Sequence, residues 1–166
     1  MVVVLLRHAE AVDERRDLPD AVRYLTAVGR AQAVAVGQQC AGFLSAWLGS
    51  LGAPAALDAI QWWTSPLVRA VQTTELAVAG AGAAGVQVSP LLAPGADVSE
   101  LAALVRRAEA TAVSVWVGHE PGLSALGAEL TGDLDFALLD KAEAVALVAG
   151  KVCWRWSCHA PAPTFV

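Results

Sequence analysis

The basic residues of this 166-residue chain that are best suited to chemistry stand at the ends of apolar runs. Five aliphatic residues, Val2 to Leu6, stop abruptly at Arg7 and His8 in "VVVLLRHAEA". Arg69 follows a second apolar run in "AIQWWTSPLVRAVQTTE", and "AVSVWVGHEPGLS" ends a third at His119. Two guanidiniums and two imidazoles, brought together, make an anion pocket, and arginine grips phosphate oxygens in bidentate fashion. A neutral imidazole attacks phosphorus and carries the phosphoryl group covalently. Neighbouring arginine cations disfavour its protonation and keep its lone pair available. A second imidazole, protonated, stabilises charge on the equatorial oxygens.

These residues meet only if the elements that carry them lie side by side. Residues 2–6 read as a fully buried strand and 11–25 as a charged loop. A helix follows over about 29–48, with Thr26 at its N-cap and Val36, Cys40, Phe43, Leu44 and Trp47 on one face. Residues 59–65 read as a strand, and Pro66 opens a helix to about Ala79. A short strand over 86–89, a loop "PLLAPGAD", a helix over 98–110 and a strand over 112–119 come next. Pro121 opens another helix to about Leu130, and 144–149 and 152–158 read as strands around "GK". This alternation predicts one domain over 1–166. Its class is α/β, a three-layer α/β/α sandwich with a mostly parallel sheet and antiparallel pairing at the final hairpin. Ligands of such sheets bind at the C-terminal strand ends. Arg7, His8, Arg69 and His119 converge there, with the helix N-termini near Pro66 and Pro121 turning N–H groups the same way.

Composition narrows the field. The net charge of −5 argues against nucleic-acid and anionic-membrane partners, so any anion site is local. No apolar stretch reaches the length of a membrane helix, and the N-terminal run lacks the basic flank of a signal peptide. The three cysteines, Cys40, Cys153 and Cys158, suit a reducing compartment, and the expectation is a cytoplasmic protein. "GAGAAG" at 80–85 matches a dinucleotide-binding pattern, but it follows a helix and leads into a strand, the reverse of the context that motif requires.

In order along the chain, "LLRHAEA", "LTAVGRAQA", "TSPLVRAVQTTE" and "VGHEPGLS" resemble the histidine phosphatase superfamily, which includes the phosphoglycerate mutases. The likeness is greatest to its small SixA-type phosphohistidine phosphatases. It extends to "RYLT", to "PLLAPGADV" and to the tail "CWRWSCHAPAP". The resemblance implies a phosphoglycerate mutase-like fold. It implies that His8 is the nucleophile that becomes phosphohistidine, and that Arg7, Arg69 and His119 clamp the phosphoryl group. It makes Arg23, in "VRYLT", a substrate-binding arginine, and it implies no metal and no cofactor. The partners it implies are a phosphohistidine-bearing protein or a small phosphate ester, with phosphate or sulfate as pocket anion. The chain departs from the pattern at Leu91, where relatives often carry a general-acid glutamate. Asp97, Glu100 and Glu10 are the nearby candidates for that acid. An alkoxide needs a positioned acid to leave, whereas a phosphoimidazole is protonated on its distant ring nitrogen and leaves neutral. The gap at Leu91 therefore favours P–N over P–O substrates. With no insertion longer than the 11–25 loop, the pocket is expected to be uncapped.

Other readings compete. His8 and His119 as ordinary core histidines would leave two matched motifs unexplained. A zinc hydrolase built from "HAE" and "HE" places two arginines against a cation and lacks the helical H-E-x-x-H spacing. A non-catalytic phosphate-binding module has no need of His8, and a mutase needs a closed pocket. "CWRWSCH" suggests Cys/Cys/His ligation, yet it alternates as a two-faced strand, with His159 on the surface. "DERRD" reads as a solvated rim from which Arg15 and Arg16 reach toward substrate.

Overall fold

A computed structural model describes residues 2–52, 60–108, 113–159 and 164–165. Its strands are β1 (Val2–Arg7), β2 (Gln61–Thr64), β3 (Gln87–Val88), β4 (Val113–Gly118), β5 (Ala144–Val148), β6 (Lys151–Trp156) and β7 (Thr164–Phe165). Its α-helices are α1 (Ala27–Ser50), α2 (Val68–Ala81), α3 (Val98–Ala108) and α4 (Gly122–Thr131). The seven strands form one sheet in the order β3-β2-β4-β1-β5-β6-β7. The pairs from β3 to β1 are parallel, and those from β1 to β7 are antiparallel. The parallel half carries the anion-pocket residues, and the antiparallel half is broader than an edge hairpin.

Strand alternation assigns the two faces. Val2, Val4 and Leu6 of β1 join Val113, Val115 and Val117 of β4 in a core with Val36, Cys40, Phe43 and Leu44 of α1 and Ala70, Ala77 and Val78 of α2. Val3 and Leu5 face the other way, into a core with Leu101 and Val105 of α3 and Leu123 and Leu126 of α4. The sheet is thus sandwiched between α1 and α2 on one side and α3 and α4 on the other, a three-layer α/β/α arrangement.

Most expected elements are present, with shifted ends. Thr26 caps α1, accepting from the Gly29 N–H at 2.9 Å, and Trp47 is only partly buried at the margin of that core. Pro66 lies ahead of α2, whose N-cap is Leu67, so the proline sets up the turn without forming the first helical residue. "GAGAAG" is the end of α2: Gly82, at φ 66°, takes the left-handed C-cap conformation that glycine adopts without strain. Expected element ends at residues 59, 109–110 and 112 fall outside the described residues. Trp154 and Trp156 are buried on one face of β6, as the two-faced reading requires, and His159 is exposed. Among the described residues no helix is long and apolar enough to cross a membrane.

One close approach ties the fold to the pocket. Residue 10 follows β1 by only three positions, and its backbone abuts the first turn of α1. A Cβ on Gly29 would lie 1.9 Å from the Glu10 carbonyl oxygen, a contact no side chain tolerates. Glu10 also exchanges backbone contact with the helix cap, its carbonyl accepting from the Thr26 N–H at 3.1 Å. Gly29→Ala is therefore expected to cost about 1–3 kcal/mol in chemical denaturation and to displace the segment beside His8; a variant with unchanged stability would show that the contact relaxes freely.

Candidate active site

His8 is the first residue past β1, and the parallel neighbour β4 fixes it: the His8 N–H donates to the Gly118 carbonyl at 3.1 Å. Its side chain is buried, with Nδ1 2.8 Å from the Ala9 carbonyl oxygen. A carbonyl only accepts, so Nδ1 carries the proton. Arg69 Nε donates to His8 Nε2 at 3.2 Å. An arginine N–H only donates, so Nε2 presents its lone pair. The two contacts independently select one neutral tautomer, with Nε2 unprotonated and its lone pair accepting from Arg69.

α2 supplies one face of this arrangement. Arg69, Gln72 and Thr73 stand at helical neighbour spacing. Arg69 reaches His8, Thr73 Oγ1 accepts the Ala9 N–H at 3.0 Å, and Gln72 Oε1 accepts the Leu25 N–H at 2.8 Å. The "RAVQT" string thus places a cation on the imidazole, ties down the next peptide and anchors the end of the 11–25 loop.

His119 follows β4, with its ring centroid 4.9 Å from that of His8. Its Nε2 is 2.9 Å from Ser65 Oγ, at the end of β2, while its Nδ1 is buried without a protein partner. Arg7 closes the opposite side. Its Nη1 donates to the Leu139 carbonyl at 2.7 Å, and its Nε has no protein partner. The segment 139–143 wraps this strand end: Arg7 N–H donates to the Glu143 carbonyl and Ala142 N–H to the His8 carbonyl. Glu120 braces that segment, with Oε1 accepting the Leu139 N–H at 2.9 Å and Oε2 accepting from Ser124 Oγ and N–H. The α4 N-terminus is thereby capped by a carboxylate of its own chain, so it is not the open anion seat that the sequence suggested.

Electrostatics agree with the hydrogen bonding. Burial, with the charges of Arg69 and Arg7 added to it, pushes the His8 pKa from 6.5 down to about 4 against the opposing bond to Ala9. Burial, then His8 and Arg69, push His119 down to about 3, with Asp20 opposing. His119 is accordingly uncharged near neutrality. A phosphoryl dianion beside it favours the protonated form.

The family model of the histidine phosphatase superfamily (branch 1) matches residues 3–94, more than half of the chain. The chain belongs to the histidine phosphatase superfamily. The matched segment holds Arg7, His8 and Arg69, and His119 lies beyond it. A sequence search of curated proteins finds no match. Among solved structures, the protein histidine phosphatase SixA complexed with tungstate is 23% identical, with a TM-score of 0.76 over 95% of this chain and 97% of that one. A putative phosphohistidine phosphatase SixA from Nakamurella multipartitia is 28% identical, with a TM-score of 0.62 over 91% and 86%. A mycobacterial glucosyl-3-phosphoglycerate phosphatase with VO3 is 18% identical, with a TM-score of 0.60 over 89% and 90%. The architecture is the phosphoglycerate mutase-like fold of these neighbours.

In this histidine phosphatase domain the four residues at strand ends converge, but the other expected site residues do not join them directly. Arg23 donates from Nε to the Val12 carbonyl at 2.6 Å and from Nη1 to Asp20 Oδ1 at 2.9 Å, so it meets the pocket through Asp20. Asp97 Oδ1 caps α3 by accepting from Ser99 and Glu100 N–H groups, and both Asp97 and Glu100 are exposed. Glu10 Oε1 accepts from Thr26 Oγ1 at 2.7 Å, on the α1 side. Arg15 pairs with Asp17 on the exposed loop. Asp20, Ser65, Thr73, Glu120 and segment 139–143 were not singled out from sequence. Of these, Ser65 and Thr73 carried a signal as members of the "TSPLVRAVQTT" string, and Glu120 as a member of "VGHEPGLS". Among the described residues no cluster of three His, Cys, Asp or Glu is placed to hold a metal ion.

The depressed histidines have a pH signature. Below 6.5 the unfolded chain takes up protons that His8 refuses until about pH 4. Stability is expected to decline as the pH falls through that window, because the unfolded state binds more protons there. Imidazole NMR resonances of His8 should stay in the neutral position at pH 6 and titrate near 4; titration near 6.5 would contradict the buried, cation-flanked geometry.

Proposed function

We propose that this domain is a phosphatase that removes phosphoryl groups from protein phosphohistidine through a covalent intermediate on His8. The observation that carries the reading is the committed state of His8. Nδ1–H is held by Ala9, and the Nε2 lone pair faces the Arg69 guanidinium. As a phosphoryl group enters, the Arg69 Nε–H bond passes from Nε2 to a phosphoryl oxygen; the released lone pair attacks phosphorus, the bond to the substrate nitrogen breaks with its electron pair, and the leaving imidazole departs neutral after protonation on its other nitrogen. Water then attacks the phosphorus of phospho-His8, and the P–N pair returns to Nε2. Arg7, Arg69 and His119 surround the transferring group with donors, Arg7 Nε and His119 Nδ1 having no protein partner.

The leaving-group side supports a substrate that needs no positioned acid. A cleft of about 160 Å³ adjoins His119 and is walled by Leu91, Leu92, Pro94, Val98 and Leu123. The one carboxylate lining it, Glu120, has both oxygens engaged by the protein. Asp97, Glu100 and Glu10 are not among the residues that line this cleft. A protein partner suits the rim: Val22 and Tyr24 near Asp20, and Leu138 beside Leu139, are exposed apolar side chains on the loops that hold the site. The glucosyl-3-phosphoglycerate phosphatase neighbour favours a second reading, a small-molecule phosphomonoesterase using the same His8 chemistry.

The deciding experiment compares a phosphohistidine peptide with a panel of phosphate monoesters, for wild type and His8→Ala. The expected result is preferential turnover of the peptide, a phosphoenzyme trapped on His8, and loss of at least ~10³-fold in kcat for His8→Ala. Faster turnover of sugar or alkyl phosphates selects the second reading. Substrate binding with no trapped phosphoenzyme and no turnover means a binding module.

A further inference from the structure

Arg69 is 4% exposed, and its guanidinium is gripped by a single residue of the 11–25 loop. Nη1 donates to the Asp20 backbone carbonyl at 2.7 Å, and Nη2 donates to Asp20 Oδ2 at 3.0 Å. Asp20 therefore holds the terminal edge of the guanidinium, while Nε points at His8 Nε2. A guanidinium has five N–H groups in one plane, so the edge formed by Nε and the second N–H of Nη2 remains turned toward the reacting nitrogen.

Asp20 is itself fixed from behind. Its other oxygen, Oδ1, accepts from Arg23 Nη1 at 2.9 Å, and Arg23 is tied by Nε to the Val12 carbonyl. Asp20 opens a short 3-10 turn, Asp20–Val22, and the loop beyond is pinned to α2 through Leu25 and Gln72. Burial raises the Asp20 carboxyl, but the hydrogen bonds and charges of Arg23 and Arg69 outweigh it and hold the group below the usual carboxylate range.

A carboxylate near an anion pocket has two possible meanings, a stand-in occupying the phosphoryl seat or a brace for a clamp. An occupant of the seat would take the donors that line it. Among the described residues the Asp20 carboxylate bonds to Arg23 Nη1 and Arg69 Nη2 and to neither Arg7 nor His119, so it does not span the pocket. It sits on the edge of Arg69 facing away from His8. We propose that Asp20 is a positioning residue, which orients the Nε edge of Arg69 along the line of phosphoryl transfer and links that orientation to Arg23 and the loop. This rests on the roles of His8 and Arg69 proposed above.

The sign of the effect follows from what Asp20 contributes. Without it, Arg69 keeps its charge and still attracts a phosphate ion. Removing one negative charge from the rim further favours an anion. What is lost is alignment with equatorial oxygens as phosphorus approaches Nε2, and only interactions that are stronger in the transition state raise kcat. Asp20 thus acts on transfer and not on ground-state binding.

Two oxyanions separate these effects without requiring the natural substrate. Inorganic phosphate reports ground-state attraction, and orthovanadate, which adopts five-coordinate geometry, reports alignment for transfer. Both affinities are measured calorimetrically for wild type, Asp20→Ala and Asp20→Glu, with kcat and KM on the best substrate and thermal melting alongside. Asp20→Ala is expected to lose roughly 10- to 100-fold in vanadate affinity and in kcat. Its phosphate affinity should hold or tighten, and Asp20→Glu should recover part of the loss. Parallel loss of phosphate and vanadate affinity, with a lowered melting temperature, would make Asp20 a structural strut and overturn the proposal. Tightening of both, with faster turnover, would make it an occupant of the seat and overturn it equally. Wild type that binds vanadate but turns over no phosphorylated substrate would defeat the phosphatase reading alone, with the vanadate comparison of the variants still deciding Asp20. Wild type that binds neither oxyanion would defeat both.

Discussion

The hydrogen bond from Arg69 Nε to His8 Nε2 is the constraint around which the site is organised. It places a permanent cation 3.2 Å from a base and requires that base to stay neutral. Burial and the proton fixed on Nδ1 make this arrangement stable, and each has its own support in the chain. The Ala9 carbonyl that holds Nδ1–H belongs to a residue whose own N–H is held by Thr73, one helical turn beyond Arg69. His8 and Arg69 are therefore referenced to the same helix. Motion of α2 carries both, and their separation is preserved.

The charge around this bond is arranged locally, since the chain as a whole is acidic. Arg7 and Arg69 have different partners for their positive ends. Arg7 is held by the Leu139 carbonyl dipole, and Arg69 by the full charge and carbonyl of Asp20. Glu143, buried beneath Arg7, spends its side chain on Arg155 and the Asp140 N–H, so its charge is paired on β6 and not on the clamp. The segment that closes on Arg7 and His8 includes Ala142 at φ 56°, a backbone conformation that costs a non-glycine residue energy and marks how firmly its surroundings fix it.

Much of this was legible in the sequence because it obeyed simple periodicities. Apolar runs ending in Arg7-His8, Ser65 and Gly118-His119 named the strands and the edge at which they end. The α1 stripe from Val36 to Leu44 is buried as its spacing required. The rest depended on contacts between distant segments. Asp20 sits in a charged loop whose sequence reads as a solvated rim, and only the folded loop brings it 49 positions across to Arg69. Segment 139–143 has no motif, because its contribution is mostly backbone carbonyls and N–H groups. Asp97, Glu100 and Glu10 were close to the site in sequence, but Asp97 caps α3, Glu10 accepts from the Thr26 hydroxyl at the α1 cap, and Glu100 is an exposed residue of the first turn of α3. The antiparallel half was under-read because β7 is two residues long and β6 carries a bulge, its register shifting opposite Ala146 and Leu147.

The strand order has a consequence for how such a protein comes into being. β1 precedes both of its neighbours in sequence, yet it lies between β4 and β5, near the middle of the sheet. Its register runs against Val113–Gly118 on one side and Ala144–Val148 on the other. This apolar stretch therefore waits for both neighbours while more than a hundred later residues are made. Pairings so distant in sequence form late and expose the waiting segment to wrong partners. The strand that leads into His8 is thus made well before either of its neighbours, and His8 acquires its surroundings only after both have followed.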